Sequence, residues 1–423
     1  MDFIHFKDVI RRRNNHLFFV RENHCLKNVN HLRDVSHPYA VRVLVKDVQI
    51  DTGDNGITQA VLLVKRSQVT TLLANDPTFA GIGRGVLVLA ALWWPWTAYA
   101  WLTNTVDPEE GFVGAALLVA LIAMFLAALA VPGVFDDDGV LFGACFLIVV
   151  ALHLALYALA GRGDHDLLAA VLRLAPWTLI GATLILIAGF GFADGARIWL
   201  WVAALLTTYV GAGLSGSSGW RVFPTHLTER YGLVIIIAIG EAFVAIGIGA
   251  TKIGPGEVAA AILGLLVATS FWLAYFDFFS IRAARTLAEA EGPQRAALSR
   301  DLYAYTHLPM IVGIVLFAFA MKVIVGHVGD ELDSAPAFAL CGGSALYLLT
   351  YSAIRSRLER RLSVSRGRFA AAVLLLLVFP LATAVPALAA LALVTVIWLG
   401  LHTYELVWWR EARAESRSML ASS

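Results

Sequence analysis

The sequence predicts an all-α fold, a polytopic transmembrane helical bundle of about eleven spans. Three observations predict it. Apolar residues make up 59% of the 423 and charged residues only 15%, against about 45–50% and about 25% in a soluble domain. A soluble protein so composed could not cover its own surface, so lipid has to be the solvent for most of the chain. From Gly81 onward the apolar residues fall into successive runs, mostly about 18–24 residues long, the length that crosses a bilayer core. The basic residues between those runs gather on alternate loops, as they do in membrane proteins. The same composition excludes other classes. A net charge of +1 gives no ground for nucleic-acid binding, and Cys25, Cys145 and Cys341 make neither a disulfide framework nor a metal-ligand spacing. There is no His-Glu-x-x-His, nucleophile elbow or nucleotide loop, so neither enzyme activity nor a cofactor nor a metal site is expected.

The first 75 residues stand apart. They hold 11 of the 32 Lys and Arg and five of the 11 histidines. No apolar run there reaches the length of a span, and none follows the basic start as a secretory signal would require. They read as a basic, poorly ordered arm, with room for a small hairpin between the alternating residues 41–50 and the apolar residues 57–64. Residues 76–410 form the membrane domain and residues 411–423 a tail. The runs are, in order, residues 82–102, 112–131, 139–160, 167–190, 196–214, 231–250, 256–279, 302–325, 335–354, 369–383 and 386–409. Pro380 and Pro386 break the last apolar stretch into two.

The loops set the orientation. One face collects 16 basic residues, among them Arg162, Arg221, Arg230, Arg300, Arg355, Arg357 and Arg368, while the other collects Arg84, Arg197, Lys252 and Lys322. Cytoplasmic loops carry the excess of Lys and Arg, which puts the first face and the C-terminus in the cytoplasm of a bacterial inner membrane. The first run then starts outside, although the basic arm ahead of it looks cytoplasmic. One more span is expected upstream, and residues 57–73, the segment available, are interrupted by Lys65-Arg66. Each charge at a helix centre costs about 2.5–3.5 kcal/mol on insertion scales.

Within the runs, the polar residues carry the information. Glu241 lies about ten residues into the sixth run, about 15 Å deep and so at the bilayer midplane. Ala238, Ala242, Ala245 and Gly249 make a small-residue stripe, and Glu241 shares its face. Such stripes mark close helix approach. Glu241 is therefore expected to point into the bundle, either as an interhelical hydrogen-bonding group or as a pathway carboxylate. At the mouth of the same run, His226, Glu229 and Arg230 share a face at i, i+3, i+4. They read as a cytoplasmic ion-pair latch or as a solvated cluster. Arg230 is three turns, about 16 Å, from Glu241 and cannot pair with it. His307, ahead of Pro309, and Asp277, near the cytoplasmic end of its run, complete the candidate pathway. For His307 the alternative is a hydrogen-bonding role, and for Asp277 an interfacial one. Arg173 and Lys322 are placed to snorkel. His153, His402 and Glu405 lie in the inner halves of their runs, to line a polar path or to hydrogen-bond. Trp93, Trp94 and Trp96 sit deeper than an interfacial belt and read as packing residues ahead of a ligand box.

These residues carry a resemblance. Residues 226–243 resemble the signature of the bacterial low temperature requirement A (LtrA) family of multi-spanning membrane proteins. Three further stretches agree and occur in the same order: Leu92-Trp-Trp-Pro-Trp-Thr-Ala-Tyr-Ala-Trp-Leu-Thr-Asn104 with the acidic residues after it, Phe271-Trp-Leu-Ala-Tyr-Phe-Asp277, and Tyr303-Ala-Tyr-Thr-His-Leu-Pro309. The resemblance covers about residues 69–409 and implies a helical inner-membrane protein of a family named for a growth phenotype in the cold. It supplies neither a substrate nor a catalytic residue. Members open with a span holding a Glu-Leu-Phe-Phe-Asp-Leu-Val-Phe-like run, which would make about twelve spans, and no such run precedes Gln68. A shifted reading frame or a recombined 5′ end is one account of that difference.

Taken together, the residues point first to transport or conduction of a small solute or ion, coupled to protonation of Glu241 with His307 or Asp277 nearby. The alternative is a non-transporting membrane sensor or accessory factor in cold or envelope stress. The expected partners are the lipid bilayer and a small solute or ion. A homo-oligomer is compatible with the sequence, and no nucleic acid is expected.

Overall fold

The computed structural model describes residues 9–13, 16–21, 24–26, 68–103, 105–106, 111–250, 252–276, 280–359 and 365–408. The chain divides into two units, Met1–Gly56 and Ile57–Ser423. In the first, β1 (Val9–Arg13), β2 (His16–Arg21) and β3 (His24–Leu26) pair antiparallel in that order. The hairpin expected over residues 41–64 and the charged part of the upstream segment lie outside the described residues.

The second unit is a bundle of long helices, and each of the eleven apolar runs is one of them. They are α1 (Phe79–Leu102), α2 (Gly111–Leu129), α3 (Gly139–Ala160), α4 (His165–Ala188), α5 (Asp194–Leu214), α6 (Pro224–Gly249) and α7 (Pro255–Ala274). After the short α8 (Ser280–Glu289) and α9 (Gly292–Ser299) and a π-helical turn at Arg300–Tyr305 come α10 (His307–Gly326), α11 (Ser334–Glu359), α12 (Arg366–Ala382) and α13 (Ala387–Trp408). Among the described residues, ten helical segments are long and apolar enough to cross a membrane. The remaining long helix, α12, has 17 residues and spans less. Residues 68–75 add two further helical turns.

Local chemistry sets the helix ends. The Thr78 side chain accepts the Gly81 N–H at the start of α1, and Asp164 accepts the Leu167 N–H at the start of α4. That N–H and the neighbouring Arg221 guanidinium hold the Asp164 carboxyl below its ordinary range. Pro224 and Pro255 open α6 and α7 from the first turn, where a missing N–H costs nothing. The break expected around Pro380 and Pro386 falls between Ala382 and Ala387.

Packing separates an interior from a lipid-facing rim. Most of α10 is buried, from Met310 to Val325. It meets α11 so closely that a Cβ on Gly313 would stand 2.5 Å from the Gly343 carbonyl oxygen. Only a glycine lets the two backbones touch there. The stripe predicted on α6 works in the same way, because a Cβ on Gly249 would meet the Lys322 carbonyl oxygen of α10 at 2.7 Å. On the rim, Leu206, Val210 and Leu214 of α5 and Leu118, Ile122 and Leu126 of α2 form exposed apolar faces at helical spacing. Lipid is the solvent that suits them.

Asp277 lies outside the described residues. One detail departs from the sequence reading. Arg355 and Arg368, counted among the loop charges, instead lie inside α11 and α12 and are buried. The remaining arginines of the basic end, such as Arg162, Arg221 and Arg357, keep the asymmetry in place.

Candidate functional site

The C-terminal ends of α1, α3 and α5 meet α9 and the π-helical turn at the basic end of the bundle, and a pocket opens between them. It encloses ≈ 590 Å³ with its open mouth included. Trp94, Trp101, Trp220, His153 and Tyr157 supply aromatic walls, Ser215 and Ser217 border it, and Arg300 stands among the lining residues. The walls hold one another in place edge to face. Tyr157 and Trp220 are 5.2 Å apart, His153 and Tyr157 5.0 Å, and Trp101 and Trp220 6.4 Å.

Several polar atoms around this pocket are buried without a hydrogen bond of normal geometry: Thr97 Oγ1, Trp101 Nε1, His153 Nε2 and Tyr157 OH. Tyr157 lies beside Thr105, His153 beside the Ala98 backbone, and Thr97 and Trp101 beside Tyr231. The bordering loop is pinned by Arg173, which donates to the carbonyls of Ser215 at 3.0 Å and Ser218 at 2.7 Å. Arg173 thus reaches the basic end, as the snorkelling expectation had it.

One wall of the pocket leads to the π-helical turn, and Pro309 gives the turn its physical reason. Proline has no N–H to give the carbonyl four residues back, so the ladder slips just ahead of it. The Leu302 carbonyl is taken up by Thr306 Oγ1 at 2.5 Å and by His307 Nδ1 at 2.9 Å. A carbonyl only accepts, so Nδ1 carries the hydrogen. In a neutral ring Nε2 then accepts from the Tyr275 hydroxyl, 2.9 Å away. His307 has no exposed surface and is enclosed by Tyr231, Tyr275 and Tyr303. The three deep tryptophans divide in their roles. Trp93 and Trp96 pack on Tyr231, and Trp93 Nε1 donates to the Ala304 carbonyl at 2.6 Å, while Trp94 lines the pocket.

Glu241 is buried, 4% exposed, on the face its neighbours predicted. Along α6 it lies between Tyr231, which packs on His307, and Gly249, which meets Lys322. It lies ten residues beyond Tyr231, about 15 Å along the helix. His307 therefore belongs to the level of the pocket and Glu241 to a deeper one. Of the candidate latch, His226 and Glu229 are exposed. Arg230 reaches across to α1, donating to the Ala100 carbonyl at 2.6 Å and to Thr103 Oγ1, and so ties the mouth of α6 to the end of α1.

A second polar centre lies between α11, α12 and α13. Arg368 donates to both oxygens of Glu405, at 2.5 and 3.0 Å, and its guanidinium stacks 3.7 Å from the centre of the Tyr351 ring. Both ionic side chains are almost wholly buried, and His402 Nδ1 is 3.9 Å from the second Glu405 oxygen. Glu405 and His402 stood out in the sequence, but their partner did not.

No group of three or more His, Cys, Asp or Glu among the described residues could hold a metal ion. The model for the bacterial low temperature requirement A protein (LtrA) matches residues 61–403. An uncharacterized protein of Rhizobium meliloti (strain 1021) is 28% identical over 294 residues, which cover 66% of this chain and 71% of the relative. No solved structure matches. The family match runs through all the long helices, from the two turns ahead of α1 into α13, and its bundle of apolar helices makes this a multi-pass membrane protein: the chain belongs to the LtrA family.

Proposed function

We propose that the chain is a secondary transporter or channel of the bacterial inner membrane that takes a small solute into the aromatic pocket from the cytoplasmic side. Glu241 is its coupling carboxylate. The observation that carries this reading is the pocket itself, a concave and mostly aromatic space inside a membrane domain, with Arg300 among its lining residues. Excess arginine at the pocket's end of the bundle supports a cytoplasmic side for that end and for the C-terminus. A carboxylate buried inside a long apolar helix supports coupling, because ionisable groups at membrane depth are costly and mark ion pathways. Both nitrogens of His307 are engaged, which favours an anchoring role for it over a relay.

The test is proton flux into liposomes that hold the purified protein and a pH-sensitive dye, with and without added solutes. Glu241→Gln keeps the shape and the hydrogen-bonding capacity while removing titration, so solute-dependent flux is expected to fall at least about tenfold with the melting temperature unchanged. Full flux in Glu241→Gln would remove the coupling role. Absence of flux under every solute would leave the sensor or accessory reading in its place.

A further inference from the structure

We infer that the solute taken by the aromatic pocket is a small uncharged molecule with a flat apolar body, a claim that rests on the pocket being the solute site, as proposed above, and adds the chemistry of what enters it.

Many of the lining residues are polar by type, yet a solute in the pocket meets almost only carbon. Thr97 Oγ1, Trp101 Nε1, His153 Nε2 and Tyr157 OH are buried and have no surface open to the cavity. They turn to the protein instead: Thr97 and Trp101 lie beside Tyr231, and Tyr157 beside Thr105. Ser215 donates its hydroxyl hydrogen to the Gly211 carbonyl at 2.7 Å. Arg300 is engaged too. Its guanidinium meets Asp301 Oδ1 at 3.0 Å and the Gly213 carbonyl at 3.4 Å, and lies 5.7 Å from the centre of the Tyr305 ring. What remains for the cavity is ring carbon from Trp94, Trp101, Tyr157 and Trp220 and the methyl groups of Ala98 and Ala212.

Such a wall sorts solutes by what they lose on leaving water. A charged solute gives up its hydration and gains no new partner for the charge. An uncharged apolar body loses little and is driven in by the area it buries, and a flat one can lie against the rings. An organic cation is the nearest competitor, because a ring face attracts it. In the pairs Trp101–Trp220, Tyr157–Trp220 and His153–Tyr157, however, one ring already presents its edge to the face of the other. No aspartate or glutamate stands among the described lining residues to accompany a positive charge.

The experiment is equilibrium dialysis of radiolabelled naphthalene, 2-naphthoate and 2-naphthylmethylammonium against the full-length protein in nanodiscs, with uptake by empty nanodiscs subtracted. The three probes share one ring system and differ in charge. Naphthalene is expected to bind at least about tenfold more tightly than either charged probe. Ala98→Phe fills the pocket from α1 and Ser217→Phe from the bordering loop, and each should abolish naphthalene binding. The melting temperature of each variant is taken alongside, and a variant that does not melt cooperatively is set aside for the other. A charged probe bound within tenfold of naphthalene, and lost in the filled variants, overturns the uncharged assignment and leaves the pocket as a solute site. Binding that persists in a folded filled variant, or no binding of any probe, overturns the pocket reading and this inference together.

Discussion

Arg368 and Glu405 bury two full charges between α12 and α13 and close them on each other, with Tyr351 stacked against the guanidinium. Across the bundle, Thr97, Trp101, His153 and Tyr157 bury neutral polar atoms beside a pocket, with Tyr157 next to Thr105, and Thr97 and Trp101 next to Tyr231. The difference follows from what each group costs. An ion taken out of water carries a penalty of several kcal/mol and must find its counter-charge within the protein. A neutral hydroxyl or indole N–H left without a partner costs only about 1–3 kcal/mol. The protein can therefore hold neutral groups in loose, bent contacts, but it cannot carry a full charge unpaired.

The comparison breaks most easily at the ionic end. Glu405→Gln keeps shape and hydrogen-bonding capacity but leaves the Arg368 charge buried and uncompensated. It should destabilise the membrane domain by about 3–5 kcal/mol, read as a fall in melting temperature in detergent. Replacing both partners, as in Arg368→Met with Glu405→Leu, should recover most of that loss, because no lone charge remains. If Glu405→Gln alone left the melting temperature unchanged, the pair would not be closed in the sense argued, and the contrast between the two regions would disappear.

His307 lies between the two extremes, buried and neutral yet fully engaged. His307→Phe keeps the ring against Tyr303 and removes the acceptor for Tyr275 O–H. Leu302 retains its bond from Thr306. A loss of about 1–3 kcal/mol is expected. Adding Tyr275→Phe should then cost little more, so the double-mutant cycle shows coupling. Purely additive losses would mean that the bond between Tyr275 and His307 contributes nothing.

How much of this could be read in the chain follows the same divide. All eleven long helices were legible because lipid imposes a length on every apolar run, and the inward face of Glu241 was legible because small residues recur at helical spacing. The pairing of Arg368 with Glu405 was not, since it depends on the register of two antiparallel helices 37 residues apart. The π-helical turn was half legible, because Pro309 was seen to disturb the ladder but not that His307 would bond the Leu302 carbonyl. The pocket was the least legible feature. Trp94, Tyr157 and Trp220 come from α1, α3 and the loop after α5, and no local pattern joins them, so Trp94 read as packing, which it does against Tyr209, and its place in the pocket lining was not visible.

The smallest expected effect on stability is the sharpest test of the contrast. Tyr157 is 1% exposed, and its hydroxyl lies beside Thr105. Tyr157→Phe removes that oxygen and keeps the ring against Trp220 and His153. A neutral hydroxyl with one neutral neighbour should cost no more than about 1 kcal/mol on removal, read as a small fall in melting temperature. That is several times less than the loss expected for Glu405→Gln, because no charge is left buried and uncompensated. A fall in Tyr157→Phe as large as in Glu405→Gln would remove the distinction between a buried ion pair and buried neutral groups.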